Sequence, residues 1–132
     1  VAFSDALSAA YVRSASTDTP RQRKVMGRIV IAAFKPKAGQ QDALRSLVER
    51  HRQVLRAEQL VTDRPPCAMQ AADGTIIEVF EWRSADAIAQ AHRNLAVQAL
   101  WAEFDTHCDY LPLADVAESR HPFAEFDSLD FQ

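Results

Sequence analysis

The sequence has little of what several common functional sites require. Its 132 residues include three glycines, which leaves little material for phosphate-binding loops, glycine linkers or a collagen-like repeat. It contains no GxSxG, HExxH or P-loop pattern. The chain therefore lacks the sequence features of α/β-hydrolases, zincins, kinases and enzymes that transfer a hydride from a dinucleotide.

The chain also lacks an excess of positive charge and a long apolar run. Lys and Arg number 15 against 18 Asp and Glu, for a formal net charge of −3, whereas nucleic-acid binding needs a concentrated positive face. No apolar run approaches the roughly 20 residues that cross a bilayer. We therefore expect no nucleic-acid partner and no membrane partner.

Cysteine is scarce, since Cys67 and Cys108 could form at most one disulfide. The first residues carry Asp5 and lack the basic start and continuous apolar stretch of a secretion signal, so we expect reduced thiols and a cytoplasmic location. His107, Cys108 and Asp109 are all residue types that ligate metals. Adjacent side chains near a helix end diverge, however, and no closely spaced cysteine pair accompanies them, so no metal site is predicted.

The length suits one domain, and 48% hydrophobic and 25% charged residues are typical of globular proteins. Residues 1–24 are rich in Ala, Ser and Thr, with apolar residues at helical spacing near their start. We expect them to form an arm with a short helix that docks on the domain or on a partner. The domain is expected over residues 25–116, followed by a tail over residues 117–132.

The first half of the domain reads as a strand followed by a helix. Residues 28–34 (RIVIAAF) are β-branched and nearly continuous in apolar character, as in a strand covered on both faces. From Gln40 the apolar residues follow a helical period. This helix is expected to end before the segment Asp63–Arg64–Pro65–Pro66, because proline lacks the backbone N–H and restricts the residue before it.

The second half reads as a hairpin, a helical region and a last strand. Asp73–Gly74 lies between CAMQA and TIIEVFEW and favours a hairpin with a two-residue turn. Ser84 is placed to cap the next helix, whose apolar stripe continues to Cys108 as one kinked helix or two abutting helices. Residues 109–113 supply the final strand, and Pro112 indicates a sheet edge or a bulge.

The order β-α-β-β-α-β predicts an α+β, ferredoxin-like fold with a four-stranded antiparallel sheet and both helices on one face. Side chains alternate in direction along residues 75–82, yet both sets contain apolar residues, so both faces need cover. The helices cover one face. A second copy of the sheet would cover the other, which predicts a homodimer with apposed sheets and a C-terminal tail that packs across it.

Two segments resemble the antibiotic-biosynthesis-monooxygenase (ABM) family of dimeric α/β barrels. They are MGRIVIAAFKPKAGQQDALRSLV and IIEVFEWRSADAIAQAHRNLAVQALWAEF, within a resemblance that runs from about Met26 to about Val116. Its most specific part is a strand ending in Glu-x-Trp, a Ser-capped helix with Ala-His, and a Trp-x-x-Phe. The family includes cofactor-independent oxygenases of quinols and anthrones, haem-degrading enzymes, and members without known activity.

The haem-degrading branch of that family places a Trp on this strand and a His on this helix beside the cofactor, with an Asn on the first strand. Trp82 and His92 match the first two positions, but RIVIAAF contains no Asn. The resemblance therefore implies an enzyme without a bound cofactor in preference to a haem enzyme, although His92 could still serve as an axial ligand.

His92 and Glu78 are the candidate catalytic residues. An imidazole on the inner face of a helix can take a proton from a phenolic substrate, or it can simply pack and bond a backbone carbonyl. Glu78 shares strand parity with Phe80 and Trp82, so it points into the space between sheet and helices. A carboxylate there is costly unless paired or protonated, and either a base or an ion pair with an Arg would account for it.

Five further side chains are candidates for substrate binding, each with a structural alternative. Trp82 could stack on a flat ligand or close the core, and Phe80 lies beside it. His51 and Trp101 fall on apolar helix faces, where core packing is the commoner role. Tyr110 could donate to a substrate oxygen or be a half-buried surface tyrosine.

These residues support two hypotheses of different kinds. The first is a monooxygenase without metal or organic cofactor that binds an electron-rich quinol or anthrone between sheet and helices. The second is a non-enzymatic dimer that carries or senses a small apolar ligand in the same cavity, because a fold does not fix a function.

Overall fold

A computed structural model describes residues 27–131, so the predicted arm over residues 1–24 lies outside the described part of the chain. The elements follow in the order β1 (Arg28–Pro36), α1 (Gln41–Ala57), β2 (Cys67–Gln70), β3 (Ile76–Trp82), α2 (Ala85–Arg93), α3 (Leu95–His107), β4 (Cys108–Leu111), two short 3-10 turns (Leu113–Asp115 and Ala117–Arg120) and β5 (Asp127–Leu129). None of the helices within residues 27–131 has both the length and the apolar character needed to cross a bilayer.

The sheet is antiparallel with the strand order β4-β1-β3-β2-β5. The α+β class is confirmed, and the first four strands are consistent with the ferredoxin-like order. The sheet has five strands where four were expected, because part of the C-terminal tail pairs with β2 of its own chain. In that pairing Ala68 faces Leu129 and Gln70 faces Asp127, so this part of the tail extends the sheet edge.

The β2–β3 hairpin has a three-residue loop where a two-residue turn was expected. The Ala71 N–H donates to Thr75 O (2.8 Å), and the Gly74 N–H donates to Ala71 O (3.0 Å). Gly74 has a φ of 94°, as in the three-residue hairpins in which a turn precedes a residue with positive φ. Asp73 accepts from the Thr75 N–H (2.9 Å), and this bond holds the pKa of Asp73 below its ordinary value.

The helical region after β3 is two helices, which was one of the two expected arrangements. Asn94 has extended backbone angles (φ −85°, ψ 122°) and its side chain accepts from the Val97 N–H, so it ends α2 and caps α3. The predicted Ser84 cap of α2 is confirmed by a 3.1 Å hydrogen bond from the Ala87 N–H to Ser84 Oγ. Helix α1 ends at Ala57, and two residues later Gln59 has a positive φ of 58°.

Strand alternation divides the sheet into two unlike faces. The face toward the helices, here called the helix-side face, carries a large core with Phe34, Phe80, Trp82, Trp101 and Phe104. The opposite face carries a smaller cluster, formed by Ala33, Ala71, Ile77 and Val116 with four half-buried neighbours. The candidate site lies on the helix-side face.

Candidate functional site

A carboxylate sits within the helix-side core. Glu78 lies on the central strand β3, between Ile76 and Phe80 on the same face, and its side chain is 1% exposed. Burying a carboxylate is costly unless other groups bond to it. The neighbours of Glu78 therefore decide its state and its chemistry.

A chain of hydrogen bonds connects Glu78 to α1 and α3. His51 Nδ1 lies 2.8 Å from Glu78 Oε1, and the Trp101 Nε1–H donates to His51 Nε2 at 3.1 Å. His51 is 0% exposed and Trp101 is 1% exposed. Phe80 and Phe104 each place a ring edge-on to the imidazole, with ring centroids 5.5 and 5.3 Å away. The imidazole is thus fixed by packing and by both of its ring nitrogens.

The donor and acceptor pattern fixes the proton on His51. An indole N–H can only donate, so His51 Nε2 must accept and carries no proton. The single proton of the neutral ring is then on Nδ1, where it donates to Glu78 Oε1. An imidazolium would require the Trp101 hydrogen bond to break. The hydrogen-bond chain therefore consists of the Trp101 N–H donating to a neutral His51, whose own N–H donates to one oxygen of Glu78. These bonds fix the orientation of the carboxyl group.

The second oxygen of Glu78 takes no part in these hydrogen bonds. Glu78 Oε2 is buried and has no hydrogen-bond partner within residues 27–131. A buried acceptor without a partner costs about 1–3 kcal/mol, and unmatched polar atoms of this kind cluster at functional sites. Its lone pairs are available to accept a proton or a hydrogen bond from a ligand.

Glu78 lines a cleft of about 250 Å³. The cleft lies between α1, the loop over residues 61–66, the end of β3 and the C-terminal tail, and its lining includes Leu55, Val61, Pro66, Phe80 and Phe131 together with Glu49, Arg52, Gln53, Arg56, Thr62, Arg64 and Glu81. This volume lies slightly below the roughly 300–1,000 Å³ of pockets for drug-sized ligands. The cleft suits a small ring-containing molecule that reaches Glu78 with one end.

Four of the seven predicted site residues meet here. Glu78 and Phe80 line the cleft, and His51 and Trp101 form the hydrogen-bond chain behind Glu78. Core packing was the commoner role expected for Trp101 and His51. Both are buried in the core, and together they also hold the carboxyl group of Glu78. The sequence indicated each residue but not that they form one connected chain.

Trp82, His92 and Tyr110 lie outside the lining of this cleft. Trp82 is 1% exposed, and its ring packs against Phe80 at 5.1 Å between centroids. The His92 ring packs against Trp101 at 5.2 Å. The Tyr110 hydroxyl donates to Asp105. Trp82 and His92 therefore contact the cluster through Phe80 and Trp101, while Glu78 lines the cleft.

The positions of Trp82 and His92 bear on haem. A flat cofactor could contact Trp82 only by displacing the side chains that enclose its ring, and β1 carries no Asn to serve as the third partner. The described residues thus do not fit a haem held in the manner that the resemblance implies. No step involving haem is derived for this protein.

The adjacent residues His107 and Cys108 bond to different parts of the chain. His107 Nδ1 bonds Gln40 Oε1 at 2.7 Å, and the Cys108 thiol donates to Phe104 O at 3.3 Å. Burial, together with the nearby Asp109 and Asp105 carboxylates, raises the pKa of Cys108 to about 12, so the thiol stays protonated. Within residues 27–131, no group of three or more His, Cys, Asp or Glu side chains is placed to hold a metal ion.

Several cleft residues were not predicted from the sequence. Arg52 and Arg56 belong to the polar side of α1, and Thr62 and Arg64 lie in the loop that had been read only as the end of that helix. A usable indication was present, since Arg52 and Arg56 are four residues apart and therefore lie on the same face of the helix. Placing Phe131 near them required the tertiary structure.

The chain was compared with protein-family models, with curated proteins and with solved structures, and none of the three comparisons found a significant match. The arrangement of the site residues therefore carries the functional argument.

Proposed function

We propose that this protein is a small oxygenase that needs no bound cofactor and acts on an electron-rich aromatic substrate, with Glu78 as the base that takes the substrate's proton. The observation that supports this is the buried Oε2 of Glu78, which has no hydrogen-bond partner within residues 27–131 although Glu78 lines the cleft and its Oε1 is held by His51. The resemblance to the ABM family supports the reaction class. The role of base moves from His92 to Glu78, because Glu78 lines the cleft and His92 does not.

Proton removal is the step that the chain can supply. Glu78 would accept a proton from a phenolic O–H or an acidic ring C–H, and the resulting anion is electron-rich enough to reduce O₂ directly. For an anthrone-like CH₂, one oxygen atom enters the substrate as a carbonyl and the other leaves as water. All four electrons that reduce the two oxygen atoms come from the CH₂ carbon as it becomes a carbonyl, so the protein contributes positioning, a base and a water-poor setting.

His51 and Trp101 act as positioning residues in this proposal. The Trp101 N–H keeps His51 in the tautomer that donates to Glu78, and the His51 N–H holds the carboxylate in one orientation. A base is effective only when its free lone pair points at the proton that it removes. Phe80 supplies an apolar side chain to the lining of the same cleft.

The second candidate is a non-enzymatic protein that binds a small ligand in the same cleft. Burial of Trp82, the expected stacking platform, favours it. In that case Glu78 Oε2 accepts a hydrogen bond from the ligand and no bond is broken. Oxygen consumption separates the two functions.

We also propose a homodimer, formed by the sheet faces that do not contact the helices. Ile29 and Ile31 of β1 are 59% and 48% exposed on that face, next to the half-buried Val79. Exposed neighbouring aliphatic side chains at the centre of a sheet are typical of an association surface. The closed dimeric barrel of the ABM family is one such assembly.

The decisive experiment measures oxygen uptake by chelator-treated protein with a panel of hydroquinones and anthrones. We expect Glu78→Gln to lower the rate roughly a hundredfold to ten-thousandfold, which is the usual contribution of a general base. Gln keeps the size of Glu78 and an acceptor for the His51 N–H. The matched control is Glu103→Gln, which removes an exposed carboxylate that pairs with Arg50 and should leave the rate unchanged.

Three outcomes are informative. Uptake that Glu78→Gln abolishes and His92→Ala retains supports Glu78 as the base. Uptake lost in His92→Ala but kept in Glu78→Gln would return that role to His92. If the wild-type protein consumes no oxygen above background with any substrate of the panel, the oxygenase proposal is wrong and the binding function takes its place.

A further inference from the structure

The charged residues of the cleft differ in burial. Glu78 is 1% exposed, and the other charged residues of the lining are Glu49, Glu81 and three arginines, Arg52, Arg56 and Arg64. Arg64 pairs with Glu81 at 3.1 Å. Arg52 and Arg56 form no ion pair within residues 27–131. Two cations of the cleft are therefore not neutralised by a protein carboxylate within that range.

The position of Arg52 is fixed by an aromatic ring. Its guanidinium lies over the Phe131 ring, 5.2 Å from the centroid, in a cation–π contact of the kind that orients arginine in binding sites. Arg56 follows one helical turn later on α1 and also lines the cleft. The donors of a guanidinium match the geometry of a carboxylate. Phe131 thus keeps Arg52 at the cleft while leaving its N–H donors available.

We infer that the cleft selects a ring-containing ligand that bears a carboxylate at one end and a proton donor at the other. The carboxylate would lie between Arg52 and Arg56, the ring between Phe80 and Phe131, and the donor at Glu78 Oε2. The reversed orientation would place the carboxylate of the ligand beside the carboxylate of Glu78, which is unfavourable. The identity of the donor end rests on the proposed function, whereas the preference for an acid does not.

The test is a calorimetric titration of the full chain with three matched probes. They are a hydroxynaphthoate with its hydroxyl and carboxylate at opposite ends of the ring pair, its methyl ester, and unsubstituted naphthol. We expect the acid to bind at least roughly tenfold more tightly than the ester, as for hydrogen bonds to charged groups. Added salt should weaken binding of the acid and leave binding of the ester unchanged.

Arginine variants test whether the preference for the acid over the ester arises in the cleft. Arg52→Gln and Arg56→Gln should each reduce the affinity for the acid roughly tenfold and leave the ester unaffected. Arg56 is exposed, so its variant is expected to fold even if Arg52→Gln does not. The matched control is Arg45→Gln, since Arg45 also lies over the Phe131 ring, at 5.9 Å, but does not line the cleft. It should bind the acid as the wild type does.

Equal affinities of the wild type for acid and ester would overturn the inference. So would an equal loss of affinity in Arg45→Gln and Arg56→Gln, because net charge and not the cleft would then be responsible. Oxygen uptake with neutral hydroquinones, combined with no preference for the acid, overturns this inference and leaves the proposed function intact. A preference for the acid without oxygen uptake by any substrate supports this inference and rejects the oxygenase.

Discussion

The two faces of one sheet show how differently the same strands are used. On the helix-side face, β3 contributes Ile76, Glu78, Phe80 and Trp82, which are all at most 6% exposed. On the opposite face, β1 contributes Ile29 and Ile31, which are about half exposed. Among the described residues, the helix-side face carries the buried carboxylate Glu78, which bonds to His51 of α1 and through His51 to Trp101 of α3.

This difference shows which face of the sheet can hold a buried carboxyl group. Glu78 can remain in the helix-side core because His51 and Trp101 are held by their own packing, so the hydrogen-bond chain is already formed before a ligand arrives. The opposite face has small aliphatic residues, covered in part by the chain after β4 through Val116 and Phe126. Its exposed aliphatic side chains are the surface that the proposed homodimer would use.

The largest contrast is expected from the same substitution on the two faces. Phe104→Ala removes a ring that is 0% exposed and contacts His51 and Phe34, and we expect a loss of about 3–5 kcal/mol in the free energy of unfolding. Phe126→Ala, at a half-buried ring of the opposite face, should cost less than half as much. Urea unfolding of both variants measures the difference. Equal losses would show that the two faces are packed alike.

A smaller contrast is expected from two tryptophans of the helix-side core. Trp101→Phe removes the donor to His51 Nε2 and leaves a buried acceptor without a partner, at a cost of about 1–3 kcal/mol beyond the lost volume. Trp82→Phe removes an indole N–H that has no hydrogen-bond partner among the described residues, so it should cost less. The difference in urea midpoint between the variants reports on the hydrogen bond. A larger loss for Trp82→Phe would contradict the tautomer assigned to His51.

The smallest effect on folding, with a clear effect on association, is expected on the opposite face. The double variant Ile29→Ser, Ile31→Ser should change the stability of the folded protomer by no more than about 0.5 kcal/mol, as for surface positions. It should convert a dimer into a monomer in sedimentation velocity. Leu95→Ser is the control, since Leu95 is 81% exposed but lies on α3. A wild-type protein that sediments as a monomer would reject the proposed dimer.

Much of the fold could be predicted because its determinants are local. Ser84 supplies a cap acceptor wherever its helix begins, and proline and the change of period separate the strands from the helices along the chain. The hairpin loop was predicted one residue too short, since Asp73–Gly74 suits both loop lengths and the register of β2 with β3 decides between them. The fifth strand was missed because the pairing of residues 127–129 with β2 joins distant segments.

For the candidate site, the sequence by itself determined the face and the residue types. Strand parity put Glu78 with Phe80 and Trp82, and helical spacing put His51 and Trp101 on inner faces. Only the tertiary structure decided that His51 and Trp101 complete one hydrogen-bond chain to Glu78, and that Arg52 and Phe131 meet at the cleft. Periodicity fixes the direction of a side chain relative to its own element, whereas hydrogen bonds between elements depend on how the elements pack together.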